Sequence, residues 1–180
     1  MTTQVILLRA VNVGGSVLRM AQFRAAIAQA GGTSITTIGA SGNAVAEVKA
    51  GTSEETFARA IERALSRNSD PKVEVFTRTG AAWEEIVRAN PFPQQAETDP
   101  AHLVVTVLAG SPPRESWGRL RAAIVGRESV AAGDRHAYIV YPDGIGRSKL
   151  TPQLIERQLG VRGTSRNWNT VRALERLLQP

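Results

Sequence analysis

The chain has 180 residues with 22 Lys+Arg against 16 Asp+Glu, a formal net charge of +6, and 42% hydrophobic and 21% charged residues. These are globular proportions, which exclude a disordered, collagenous or coiled-coil chain and leave room for one packed domain or two small ones. Without cysteine, disulfides, thiolate catalysis and Cys-ligated zinc or iron–sulfur clusters are excluded. The cations are 19 Arg and 3 Lys, a ratio that base composition could produce without functional selection.

Gln4 to Ala10 reads as a buried strand, and Asn12 to Ser16 as a turn in which adjacent glycines relax the backbone. Met20, Phe23, Ile27 and Ala30 then recur at helical spacing, with Gly31-Gly32 as the stop. Ser34 to Ile38 and Ala44 to Lys49 flank Gly39-Ala40-Ser41-Gly42-Asn43 as an antiparallel hairpin. Its tip could lie at the opposite end of the sheet from the turn after the first strand. Thr52 and Glu55 suggest a capping box for a helix carrying Phe57, Ile61 and Leu65, and Lys72 to Arg78 closes a strand–helix–strand–strand–helix–strand unit. That order is ferredoxin-like: a four-stranded antiparallel sheet with two helices on one face.

A helix with Trp83, Ile86 and Val87 follows. Asn90-Pro91-Phe92-Pro93 and a polar stretch to Pro100 are expected outside helix, because the prolines restrict the backbone. The order then repeats. His102 to Ala109 is a strand, and Ser111-Pro112 is expected to open a helix with Trp117, Leu120 and Ile124. Ser129 to Ala132 and His136 to Pro142 form a hairpin. Thr151-Pro152 opens a helix ending at Gly160, and a terminal helix carries Trp168, Val171, Leu174 and Leu178, with no clear final strand before it. The expectation is therefore α+β: two ferredoxin-like units, 1–80 and 102–180, joined by a connector at 81–101, the second ending in an extra helix.

Four segments could carry chemistry. Arg9 to Gly15, including Asn12, joins strand to helix and could present backbone amides to an anion, although it is neither a P-loop nor a dinucleotide fingerprint. Ser41-Gly42-Asn43 is what a tight turn itself demands. Tyr141 to Leu150 carries Arg147, Ser148 and Lys149 before a helix, and Thr164 to Thr170 carries Arg166 and Asn167. Arg can grip phosphate or carboxylate with two parallel hydrogen bonds. Residues 144–180 hold seven cations against Glu156 and Glu175, a net +5, so most of the chain's charge excess is matched there. The structural alternative is that Ser165 or Asn167 caps the last helix, Trp168 packs in the core and the arginines form a solvated face.

Familiar catalytic arrangements find little support. His102 and His136 both begin expected strands, with no nucleophile elbow beside them. Their spacing to carboxylates argues against a metal, and no acidic cluster stands out. The expected central strands of the first unit carry no aromatic for base stacking, which rejects a standard RNA-recognition sheet there.

Together, Leu7-Leu8-Arg9 through Asn12-Val13-Gly14-Gly15, Met20, Ser41-Gly42-Asn43, Asn90-Pro91-Phe92-Pro93, Tyr141 through Leu150 and Ser165 through Thr170 resemble the bacterial family catalogued as domain of unknown function 1697, over essentially the whole chain. The resemblance implies a two-part α+β protein of ferredoxin-like type and brings no activity with it. Ala10 stands where members usually have Gly, and Ile38-Gly39-Ala40 replaces a segment that typically carries an aromatic and a Gln.

The leading expectation is a cytoplasmic protein binding a phosphate-bearing small molecule or a nucleic-acid backbone through Arg147, Ser148, Lys149, Arg166 and Asn167, joined by Arg9 and Asn12. No cofactor, metal or membrane partner is expected. The apolar run Val5–Leu8 is too short to span a bilayer and lacks signal-peptide order. Two alternatives are a small enzyme acting on a phosphorylated or carboxylated substrate, with Arg stabilising developing charge, and a dimerisation or interaction module presenting edge strands. Catalysis and oligomeric state are left open.

Overall fold

The computed structural model describes residues 1–9, 18–66 and 73–179. The first half runs β1 (Thr2–Arg9), α1 (Met20–Gln29), β2 (Thr33–Ile38), β3 (Asn43–Val48), α2 (Glu54–Ser66) and β4 (Glu74–Thr79), followed by α3 (Gly80–Arg88) and the short α4 (Pro93–Thr98). The second runs β5 (Leu103–Leu108), α5 (Ser116–Ala122), β6 (Ser129–Ala132), β7 (His136–Val140), a 3-10 turn (Ile145–Arg147), α6 (Pro152–Leu159), β8 (Gly163–Asn167) and α7 (Trp168–Arg176). The strands form two four-stranded antiparallel sheets with matching orders, β2-β3-β1-β4 and β6-β7-β5-β8. The fold is α+β with two ferredoxin-like units. By compactness one unit comprises Met1–Glu85 with the residues from Ala173 onward, and the other Ile86–Arg172, so the divisions fall within α3 and α7.

In the first sheet Ile6, Leu8, Ala44, Ala46, Val48 and Val75 pack against Phe23 and Ile27 of α1 and Phe57, Ile61 and Leu65 of α2. In the second, Val104, Leu108, Ala137 and Ile139 meet Trp117 and Leu120 of α5 and Ile155 and Leu159 of α6. Each fully buried Val, Leu, Ile or Phe side chain among these stabilises by about 1.5–3 kcal/mol. Val5 and Leu7 alternate with the helix-facing residues and are buried as well, which explains why β1 reads as a continuous apolar run. No helix among the described residues is long and apolar enough to cross a membrane.

Several local expectations are corrected. The second unit does have a final strand, β8, pairing with β5 from Val104↔Asn167 to Leu108↔Gly163. Its sequence, GTSRN, hides it because an edge strand need not alternate apolar and polar side chains. Pro93 does not keep its segment extended: it sits in the first turn of α4, where a missing N–H costs nothing. The α2 cap is Ser53 rather than Thr52, its Oγ accepting from Thr56 N at 3.1 Å. Ser111 caps nothing: α5 starts at Ser116, and the Ser111 hydroxyl donates to Asp134 at 2.7 Å. The Thr151 cap and Gly160 stop are as expected, with Leu154 N donating to Thr151 Oγ1 at 3.2 Å and Gly160 at φ 71°.

The hairpin tip lies at the same end of the sheet as the end of β1, not the opposite one. Leu8 N donates to Gly42 O at 2.8 Å, and Leu7 pairs with Asn43.

Candidate functional site

The segment linking β7 to α6 is braced from within. Tyr141 N donates to His102 O at 2.9 Å, and Gly144 N returns to Tyr141 O at 3.0 Å. Gly144 holds φ at 85°, a backbone state open to glycine at little cost. Leu150 N donates to Ser148 Oγ at 2.9 Å, and the Ser148 hydroxyl donates to the Glu128 carboxylate. Buried Tyr141 donates its hydroxyl to Leu150 O at 3.1 Å, closing the loop across its ends. Burial, then the Glu128 charge, pushes that hydroxyl up to about 12. With these groups committed to the loop itself, Arg147 and Lys149 stand exposed.

A third cation joins them. Arg127 Nε donates to Asp143 Oδ2 at 3.0 Å, and a second guanidinium nitrogen meets Oδ1, a bidentate pair. The hydrogen bond from Arg127 lowers the Asp143 carboxyl, desolvation opposes it, and the charges of Arg127 and Arg147 lower it further. The same hydrogen bond, then the Asp143 charge, raises Arg127. Asp143 thus lies in the field of two cations, where an external oxyanion would also be attracted. Beneath the loop His102 Nδ1 meets Asp99 Oδ2 at 2.7 Å.

The other expected residues have different duties. Asn167 Oδ1 accepts from Thr170 N at 3.1 Å and Thr170 Oγ1 at 3.0 Å, so it caps α7. Arg166 pairs with Val105 in register, on the sheet face opposite Val104 and Leu108. Its Nη1 donates to Thr164 Oγ1 at 2.9 Å and Ser165 O at 2.8 Å, and burial pulls its guanidinium down to about 10. Arg166 and Asn167 thus have structural duties of their own, and the ends of β7 and β8 both flank the start of β5. Arg9 belongs to the first unit and pairs with Glu74 at 3.0 Å. Asn12 and the Gly14-Gly15 turn lie outside the described residues.

Ser41-Gly42-Asn43 serves the hairpin. Gly42 has φ 71°, and a Cβ there would lie 2.5 Å from Leu8 Cβ. Buried Asn43 donates to Ile38 O at 3.5 Å. Sequence reasoning missed Arg127, Asp143 and the Asp99–His102 pair. The first two are 16 residues apart and are joined only by folding, whereas the three-residue Asp–His spacing was visible. Among the described residues no group of three or more His, Asp or Glu could hold a metal ion.

The family model described as "Protein of unknown function (DUF1697)" matches residues 1–138, ending before the Tyr141–Leu150 loop and β8. A solved structure, that of the conserved bacterial protein SP0830 from Streptococcus pneumoniae, is similar over 100% of this chain and 99% of its own, with 16% sequence identity and a TM-score of 0.78. That likeness extends the fold through the C-terminal part. No curated protein matches the chain.

Proposed function

Taking as premise that the chain belongs to the DUF1697 family, whose description assigns no activity, we propose that it is a cytoplasmic protein that binds a phosphate-bearing molecule through the loop between β7 and α6. The observation that carries this reading is the exposure of Arg147 and Lys149 on a loop whose other polar groups are spent on bracing it. A braced loop loses little conformational entropy when its cations engage a ligand. Arg127 supplies a third cation once an incoming oxyanion competes with Asp143. The expected set contracts accordingly: Ser148 positions the loop, Asn167 caps a helix, and Arg9 and Arg166 serve their own strands. Open, solvated cations favour binding over the enclosed geometry of an enzyme acting on a phosphorylated substrate.

Calorimetric titration with inorganic phosphate and with a single-stranded oligonucleotide at low ionic strength tests the reading. Binding of either probe that weakens with salt and is lost in Arg147→Ala/Lys149→Ala is the expected result. Absence of binding to both, or unchanged binding by the double variant, overturns it.

A further inference from the structure

His102 sits at the start of β5 with its backbone tied into the sheet, since its carbonyl accepts from Tyr141 N at 2.9 Å. The imidazole is 40% exposed, and its Nδ1 is engaged by Asp99. A carboxylate on one ring nitrogen fixes the orientation of the ring and leaves the other nitrogen for a ligand. That other nitrogen, Nε2, faces the braced loop. A Cβ built on Gly144 would lie 3.7 Å from it and, chain neighbours aside, within 4 Å of no other atom. An open niche is thus framed by Gly144 and His102 Nε2, three residues before Arg147 in the chain.

The charged groups around the niche come from three segments. Asp99 lies on the turn before β5, Asp143, Arg147 and Lys149 on the loop, and Arg127 and Glu128 on the segment bonded to it. The three cations and three carboxylates balance in number, but Asp99 is paired with His102, Asp143 with Arg127, and Glu128 is half-buried against Ser148, which leaves Arg147 and Lys149 as the exposed cations. A protonated imidazole adds one charge and one directed N–H to them. A phosphodiester presents one negative charge, whereas a terminal phosphate presents up to two and three acceptor oxygens.

We propose that His102, held by Asp99, is a proton-dependent member of the same anion site, and that the ligand it selects is a terminal phosphate or comparable dianion rather than a diester backbone. This rests on the reading that the Arg147–Lys149 loop binds anions.

Sulfate is a suitable probe because it stays dianionic across the range in which imidazole titrates. Its affinity should fall about fivefold between pH about 5.5 and about 7.5. The decrease should be absent in His102→Gln and reduced in Asp99→Asn, both of which keep a polar side chain at a partly exposed position. In carbon-detected NMR of the two histidine rings, saturating sulfate at the lower pH should shift the His102 ring signals and leave those of His136 in place. Sulfate binding that needs Arg147 and Lys149 but is independent of pH, with His102 unmoved, overturns this inference and leaves the loop reading standing. No sulfate binding at low ionic strength at either pH overturns both.

Discussion

Gly42→Ala tests whether Ser41-Gly42-Asn43 builds the hairpin or serves a ligand. Two costs add at this position. The backbone is left-handed, φ 71°, which costs a residue with a Cβ about 1–2 kcal/mol. The new methyl would also sit 2.5 Å from Leu8 Cβ and 2.7 Å from its Cγ. Leu8 is buried against the α1/α2 core and cannot simply swing out, so overpacking adds about 1–3 kcal/mol. The total, about 2–5 kcal/mol, is a large part of the ~5–15 kcal/mol that holds a domain folded. Gly39→Ala is the control, because Gly39 has φ 61° with nothing within 4 Å of its Cβ position. It should lose the conformational part alone, about 1–2 kcal/mol. Urea unfolding at 25 °C followed by far-UV circular dichroism reads both. With m of about 2 kcal/mol/M, Gly42→Ala should lower the midpoint by roughly 1–2.5 M and Gly39→Ala by less than about 1 M. Equal losses in the two variants, or a Gly42→Ala protein as stable as the parent, would refute the packing argument and return the motif to the candidates for ligand contact.

Other consequences are as direct. Asn167→Ala and Thr79→Ala each remove a helix cap, since Thr79 Oγ1 accepts from Ala82 N at 3.2 Å as Asn167 Oδ1 does from Thr170 N; each should cost about 1 kcal/mol in urea unfolding. Tyr141→Phe removes the bond to Leu150 O and should lose about 0.5–1.5 kcal/mol, with weaker anion binding as the loop loosens. The Tyr141 hydroxyl is raised to about 12 by burial, so the folded state keeps a proton that the unfolded chain releases above about 10. Its stabilising contribution is therefore complete below pH about 10 and lost as pH rises toward about 12; Tyr141→Phe should lessen the alkaline fall in stability over that window. Asp143→Asn should tighten sulfate binding by removing the internal competitor of Arg127 and Arg147, and titration calorimetry at low ionic strength checks the direction.

What the sequence disclosed depends on which force writes the signal. Strands β1, β3, β5 and β7 are central and buried, and Val5 to Leu8 or Leu103 to Val105 must therefore be apolar whatever surrounds them. Helices α1, α2 and α6 bury one stripe and show helical spacing. Edge strand β8 is held by its ladder to β5 and by hydroxyl contacts such as Thr106 with Ser165 at 2.8 Å, which leave no apolar pattern to read. The α2 cap is displaced by one residue because Thr52 and Ser53 both carry a hydroxyl, and it is Ser53 Oγ that meets Thr56 N. The site was half legible for a related reason. Composition can expose Arg147 and Lys149, but only folding brings Arg127 to Asp143 and turns His102 toward Gly144.

Comparing the halves separates fold devices from candidates for function. Arg78 pairs with Val5, and Arg166 with Val105, at corresponding places in sheets of matching order. Each arginine bonds a strand carbonyl, Arg78 to Thr77 O at 2.7 Å and Arg166 to Ser165 O at 2.8 Å. Each precedes a residue that caps the next helix, Thr79 or Asn167. A polar pair that recurs at the same corner in both halves is explained by the corner, so Arg166 and Asn167 have a structural role there that needs no ligand. The β7-to-α6 connection has no such counterpart. Five residues, 49–53, join β3 to α2, whereas eleven, 141–151, join β7 to α6. A strand-to-helix step needs only the shorter link. The longer one is braced by its own hydrogen bonds and spends its excess length displaying Arg147 and Lys149, as expected of a loop positioned for recognition by a rigid scaffold.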